Sequence, residues 1–275
     1  MRVSVNILEQ NPNAAKVTRP FAEGITAAGD TVIVRSERDS DMRGFDAAVF
    51  WGYVTSCQQI EAACRQKGIP FIYVDFGYWR REKGYYKAAL NARHPTAYLM
   101  QRAMPADRWE SLRMTIQPWR KKNGGPIILA GMSGKGAWSW NWKDSAYETA
   151  VVNDLKDLTK RKLIYRPKPN WHQSTPIRGT IFDRLTPIDK LLNGAHCVIT
   201  HHSNVGSDAI IAGVPVFTKH GAALPMGLLD TELARIEDPA YPDGREQWAA
   251  NLAYCQWTLQ EMASGKCWKH MRTML

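Results

Sequence analysis

The chain has 275 residues, 44% of them hydrophobic and 23% charged, which is ordinary globular composition with enough apolar material for a sizeable core. No early apolar run follows a basic start, and no apolar stretch approaches the ~18 residues that span a bilayer, so neither a secretory leader nor a membrane span is expected. The five scattered cysteines form no CxxC pair, which argues against a disulfide framework or a zinc ribbon and for reduced thiols in a cytoplasmic setting, while the net charge of +10 favours polyanionic partners.

RVSVNIL predicts a first strand. Asn11-Pro12-Asn13 is turn chemistry, and helical spacing from Val17 to Ala28 ends at Gly29-Asp30. DTVIVRS and Asp46–Gly52 predict the next two strands. Gln58 to Lys67 predicts a helix closed by Gly68, and PFIYVDFG a fourth strand. Strands that alternate with helices and are apolar on both faces imply a parallel sheet covered on both sides.

From Phe76 to Lys122 the chain carries 11 basic residues against 3 acids, interleaved with eight aromatics. Such a mixture suits a surface that meets nucleic acid or another polyanion; it also suits a solvated basic face whose aromatics point inward. Arg80, Arg81 and Lys83 are the candidate phosphate contacts, and Trp79 and Tyr85 the candidate base-stacking rings. Lys121-Lys122-Asn123-Gly124-Gly125-Pro126 predicts a domain boundary at 122/123.

PIILAG opens a second α/β series. A helix is predicted from Asp144 to Lys160, a strand and loop at KLIYRPKP, and a helix started by Thr186-Pro187 and ended by Asn193-Gly194. HCVIT, a helix from Asn204 to Ala212, and VPVF follow. The tail from Arg245 to Met271 predicts one or two helices that pack back on the first half.

Ligands of open α/β sheets bind where strands end. The loop after HCVIT reads His201-His202-Ser203-Asn204-Val205-Gly206. Ser203 can cap a helix or bind phosphate, the histidines can become cationic, and Gly206 admits a close ligand. A capped helix with histidines on its loop is the alternative. Ser133 and Lys135 in Gly131-Met132-Ser133-Gly134-Lys135-Gly136 face the same expected cleft, though a plain surface turn fits equally. Arg166 and Lys168, bracketed by prolines, offer placed cations or belong to a surface loop. Asp75 ends an apolar strand and could take a proton from an acceptor hydroxyl, or pair with Arg80. Glu9 is the rival base. Asp39-Ser40-Asp41 matches a metal-holding DxD pattern but sits in a polar loop, and no HExxH or Cys/His cluster suggests zinc. No metal and no cofactor are expected.

The block HHSNVGSDAIIAGVPVF, from about Leu191 to Phe217 with its strand, resembles the signature of GT-B-type glycosyltransferases. Capsule-polysaccharide transferases have a similar block, preceded by a strand ending like Tyr165-Arg166-Pro167-Lys168-Pro169, often with His where this chain has Lys168. They also carry an acidic-Gly-aromatic-x-Arg motif, of which Asp75-Phe76-Gly77-Tyr78-Trp79-Arg80 looks like a variant with one extra residue. The resemblance implies two facing Rossmann-like domains, 1–122 on the acceptor side and 123–275 on the donor side, with a C-terminal helical tail.

It also implies transfer of a sugar from a nucleotide sugar, which serves as co-substrate, to a hydroxyl. The donor contacts would be Ser133, Lys135, Arg166, Lys168, His201, His202, Ser203, Asn204 and Gly206. The charge balance makes hydroxymethylated pyrimidine in phage DNA the leading acceptor, since small basic phage transferases are a precedent. A capsule or lipopolysaccharide glycan is the alternative acceptor, and a non-catalytic DNA-binding module the alternative class.

Overall fold

A computed structural model describes residues 1–121 and 124–275. The chain runs through β1 (Arg2–Ile7), α1 (Pro12–Ala27), β2 (Thr31–Ser36), β3 (Ala47–Trp51), α2 (Thr55–Lys67), β4 (Phe71–Phe76) and β5 (Tyr85–Leu90). The short helices α3 (Thr96–Gln101) and α4 (Asp107–Ser111) lead to β6 (Ile127–Ala130), α5 (Gly134–Ser139), α6 (Ala146–Leu155), β7 (Leu163–Arg166) and β8 (Ile181–Phe182). Then come α7 (Ile188–Gly194), β9 (Cys197–Thr200), α8 (Val205–Ile211), β10 (Val216–Thr218) and β11 (Leu228–Leu229). The last elements are α9 (Arg245–Ala253), β12 (Gln256–Thr258), α10 (Leu259–Ala263) and α11 (Lys266–Arg272).

Local chemistry explains several bounds. The Asn11 side chain accepts from the Asn13 and Ala14 N–H groups, so α1 starts at Pro12, earlier than its apolar spacing suggests. Gly68 closes α2 at φ 66°, as the sequence predicts. Pro187 stands before α7 with extended ψ rather than at its first position, and Thr186 does not cap it.

Two compact units emerge: Met1–Pro95 with Leu252–Leu275, and Thr96–Asn251. The expected junction at Lys122–Asn123 lies outside the described residues, and the units divide elsewhere. Residues 96–121 belong with the second unit because its side chains hold them. Arg245 donates to the carbonyls of Gln117 and Ile210 and lies over the Trp119 ring. Asn251 bonds the backbone at Leu99, Arg102 and Met104.

The first unit has the sheet order β12-β5-β4-β3-β1-β2. Strands β1 to β4 pair in parallel, and β5 and β12 add antiparallel. The second unit has the order β11-β10-β9-β6-β7-β8, every pair parallel. Numbered within that unit this is the 3-2-1-4-5-6 order of the Rossmann fold. Apolar residues on both faces of each sheet are buried: Val5, Val49 and Val74 on one face of the first and Ala48, Phe50 and Tyr73 on the other, Leu129, Ile199 and Phe217 on one face of the second and Ile128, Val198 and Val216 on the other.

The tail returns to the first unit only from Leu252 onward, as a strand and two helices; Arg245–Asn251 of α9 belong to the second unit. Trp268 is fully buried and meets the Phe21 ring edge-on. At Gly24 the backbones of α1 and α10 come so close that an added Cβ would lie 1.7 Å from the Met262 carbonyl oxygen. The Trp268 indole donates to Asp30 Oδ2 at 2.7 Å; the Met1 ammonium bonds Asp30 Oδ1, and Arg272 pairs with Oδ2 at 3.2 Å. Burial alone would raise the Asp30 carboxyl, but these partners hold it below the usual aspartate value.

Trp268→Phe keeps most of the ring packing and removes one hydrogen bond to a buried carboxylate. It should cost about 1.5–3 kcal/mol in urea denaturation, whereas Arg272→Ala, at the half-exposed partner, should cost under about 1 kcal/mol. Equal losses would show that the indole hydrogen bond does not dominate at Asp30.

Candidate functional site

In the second unit the strand order reverses between β6 and β9, so the loops after these two strands flank the switch point where ligands bind in such sheets. The two ends are tied together, since Thr200 Oγ1 donates to the Ala130 carbonyl. His201 is 1% exposed. Its Nδ1 meets the Nδ1 of half-buried His202 at 2.9 Å, with the rings nearly perpendicular. The Ser203 N–H donates to Thr200 Oγ1, and Ser203 Oγ accepts from Val205 N–H. Ser203 therefore caps the short α8, and Asn204 precedes α8 without a side-chain cap bond.

The loop after β6 closes on the same place. Ser133 Oγ caps α5 through the Gly136 N–H. A Cβ built on Gly136 would lie 3.3 Å from Ser133 Oγ and 3.7 Å from His202 Cε1, so Ser133 and His202 share one small space. Lys135 is exposed on α5. The loop after β10 joins them. The His220 N–H donates to the His201 carbonyl, and Thr218 Oγ1 donates to the carbonyls of His201 and His220.

Trp140 lies among the three imidazoles. It stacks on His220 at 4.3 Å between centroids and meets His201 at 5.1 Å and His202 at 5.6 Å. Tyr147 stands edge-on to His201. Trp140, Tyr147 and His220 escape sequence reasoning because they come from other segments, Trp140 and His220 from loops and Tyr147 from α6; the density of tryptophans from Trp138 to Trp142 is the signal that could have found Trp140.

Arg166 ends β7, the neighbour of β6, and Lys168 follows it. The Arg166 guanidinium donates to the Pro167 carbonyl, and Lys168 is exposed. Gly206 has a different role from the one its position suggests. An added Cβ would meet the Ala223 Cβ at 2.8 Å, so the glycine serves the packing of α8 and not the approach of a ligand.

Beneath the β6 loop lies Glu148, 1% exposed. Its Oε1 accepts from the Met132 N–H at 2.6 Å, while Oε2 meets no hydrogen-bond donor among the described residues. Burial raises this carboxyl above the ordinary glutamate value, and the Met132 bond offsets part of the rise.

In the first unit Asp75 is half-buried at the end of β4. Its Oδ2 accepts from the Tyr73 hydroxyl and its Oδ1 from the Phe76 N–H, both at 2.8 Å. Lys87 stands opposite it in the ladder, 4% exposed, donating to the Arg93 carbonyl and lying over the Tyr73 ring. Burial lowers the Lys87 pKa. Glu9, the rival base, is exposed and holds Arg19 through both oxygens at 2.9 and 3.2 Å, so it is engaged elsewhere. Both acids of the DxD pattern are likewise taken: Asp39 pairs with Arg35 and Asp41 with Arg43, which holds the Asp41 carboxyl down at about 2.

Several side chains of the basic segment are engaged by their own neighbours. Trp79 is 3% exposed, which removes it as a platform for an extruded base. Arg81 turns back to the Tyr78 carbonyl, and Arg80 lies 3.9 Å from Glu82. Lys83 is exposed and Tyr85 half-buried. Arg120 bonds the end of α7 at Asn193, and Lys122 lies outside the described residues.

A carboxyl pKa raised by folding favours the folded state below the unfolded value, about 4.3, and that contribution is lost as pH rises through the folded value. Glu148→Gln keeps an acceptor for Met132 and removes the ionisation. The variant should exceed the parent in urea stability at about pH 8, with the gap closing toward about pH 4. A gap of the same size at both pH values would contradict a buried carboxylate penalty.

No protein-family model matches the sequence, and no curated protein matches it. Among solved structures the chain is similar to the β-Kdo 2,4 transferase of Thermosulfurimonas dismutans KpsC at 12% identity and TM-score 0.52, over 92% of this chain and 90% of that one. It is also similar to the β-Kdo 2,7 transferase of the same protein at 13% identity and TM-score 0.54, over 98% and 99%. At this identity the likeness establishes the fold: two Rossmann-like α/β units of the GT-B type.

Proposed function

We propose that the chain is a glycosyltransferase that moves a sugar from a nucleotide sugar to a hydroxyl. The observation that carries this reading is the loop pair at the switch point of the second unit, where Ser133, Gly136 and His202 share one space between β6 and β9. The donor phosphate would meet His202, Ser203 and Ser133, with Lys135, Arg166 and Lys168 supplying further positive charge. In the reaction the bond from the anomeric carbon to the phosphate oxygen breaks as the acceptor oxygen bonds that carbon. The acceptor proton passes to Asp75, and the cations of the second unit balance the charge on the departing nucleotide. The nucleotide sugar is consumed, and no cofactor enters this scheme.

For the acceptor, a hydroxyl of an acidic glycan of the capsule or lipopolysaccharide kind is the reading best supported. The motif resemblance to capsule-polysaccharide transferases and the fold likeness to two Kdo transferases both favour it. A hydroxymethylated DNA base is the second reading, favoured by the net charge of +10 and by Arg81 and Lys83, exposed just beyond β4. It has lost Trp79 as a stacking ring.

Incubation with CMP-, UDP- and GDP-linked sugars, separately with acidic oligosaccharides and with hydroxymethylated duplex DNA, read by mass spectrometry, tests both acceptors. Asp75→Asn should lower transfer by about 10²–10⁴-fold and leave donor affinity within about twofold. Full turnover in that variant would remove Asp75 as the base, and absence of transfer from every donor would overturn the enzyme reading.

A further inference from the structure

The loop from β6 to α5 is three residues long, Gly131-Met132-Ser133, and it carries Ser133 to the space shared with His202. The two residues before Ser133 are held by neighbouring elements. The Met132 N–H donates to Glu148 Oε1 at 2.6 Å, and the Gly131 N–H to the Arg166 carbonyl at 2.9 Å. A Cβ added at Gly131 would lie 2.7 Å from Tyr165 Cε2 and 3.3 Å from Glu148 Oε1, so the Tyr165 ring and the Glu148 carboxyl close on the backbone there. The Met132 side chain is 6% exposed and packs in the core of the second unit.

A carboxyl is a costly group to place beneath this loop. Burying it takes free energy that a leucine at the same position would not, and its Oε2 meets no hydrogen-bond donor among the described residues. Burial also raises its pKa, the mark of a charged form that the surroundings disfavour. A carboxyl kept in the core under these terms has its use in the one bond that it does make. That bond holds the residue directly before Ser133.

We infer that Glu148 is a positioning residue of the donor site: by holding the Met132 N–H it fixes Ser133 beside His202, so that the site stands formed before a phosphate-bearing ligand arrives. Gly131 serves the same end by leaving room for the Tyr165 ring. This rests on the donor-site reading of the second unit and adds to it a residue that touches no ligand. A loop already in place loses little freedom on binding. One released from Glu148 has to be ordered by the ligand, which lowers affinity.

The test joins amide hydrogen exchange, read by NMR, with calorimetric titration of UDP-glucose, GDP-mannose and CMP-sialic acid on the whole chain. In the parent the Met132 amide should exchange slowly. Glu148→Leu removes the acceptor and should speed that exchange about tenfold or more, while the Val198 amide on β9, bonded to the Pro215 carbonyl, exchanges as in the parent. The same variant should weaken binding of whichever nucleotide sugar the parent binds by about tenfold. Glu148→Gln restores an acceptor and should return both measurements to within about twofold of the parent. Glu148→Asp, whose carboxyl is one methylene shorter, should behave as the leucine variant does, and serves in its place if that variant does not fold. Gly131→Ala leaves Glu148 intact and should weaken binding to a similar degree. Three results overturn this inference and leave the donor site standing: a Met132 amide still protected in Glu148→Leu, parental affinity in a variant whose Met132 amide is released, or binding in Glu148→Gln as weak as in Glu148→Leu. Failure of all three nucleotide sugars to bind the parent overturns the donor-site reading together with it.

Discussion

A parallel strand cannot turn back on itself through a hairpin. Each one must be followed by a crossover, and a sheet whose two faces are covered admits polar groups where they find partners, as Ser4 and Asn6 do, or at the edge where strands run out. That constraint governs both units. In the second, all six strands run the same way, so the loops after β6, β7, β9 and β10 gather along one edge, and the reversal of order at β6 and β9 opens a gap between two of them. The imidazoles, the capping serines and the buried Glu148 occupy that edge or lie just beneath it. In the first unit the same logic places Asp75 at the end of β4, with Tyr73 and Lys87 on its own face of the sheet.

Much of this was legible because strands of the parallel kind announce themselves. PIILA, HCVIT and VPVF are short apolar runs rich in β-branched residues, bounded by glycine or proline, and each became a strand. The loop after HCVIT could be located by the same reading. β5 and β12 were not legible. The run Tyr85–Leu90 sits among charges and reads as part of a basic surface, and its partner β12 lies near the other end of the chain, with Lys87 opposite Gln256. No local periodicity records such a pairing. Gly206 was located but misread, since the Ala223 methyl that requires a glycine there belongs to a distant turn.

Part of the positive charge concentrated in the middle of the sequence is taken up by the chain's own groups once it folds. Lys87 goes into the core of the first unit, where a carbonyl and aromatic faces satisfy it. Arg93 lies on the Tyr53 ring at 3.4 Å. Arg120 bonds the last carbonyls of α7, and Lys121 lies over Tyr241. Charge counted along a chain measures what a surface could be; each cation spent on a carbonyl or a ring is withdrawn from the field a polyanion would feel. What remains exposed beside β4 is a few side chains, Lys83 among them.

The close approach of Gly24 to the Met262 carbonyl has a consequence for the order of events during synthesis. The first unit takes its last strand and two helices from the final stretch of the chain, residues 252–275. Until that stretch leaves the ribosome, β5 keeps an open edge and Phe21 lacks the indole that covers it. The second unit is continuous in sequence and can complete its sheet earlier. The nascent protein thus spends the interval between the two with an unpaired strand edge and an apolar helix face, the kind of surface on which chaperones act and at which premature termination would leave an aggregation-prone fragment.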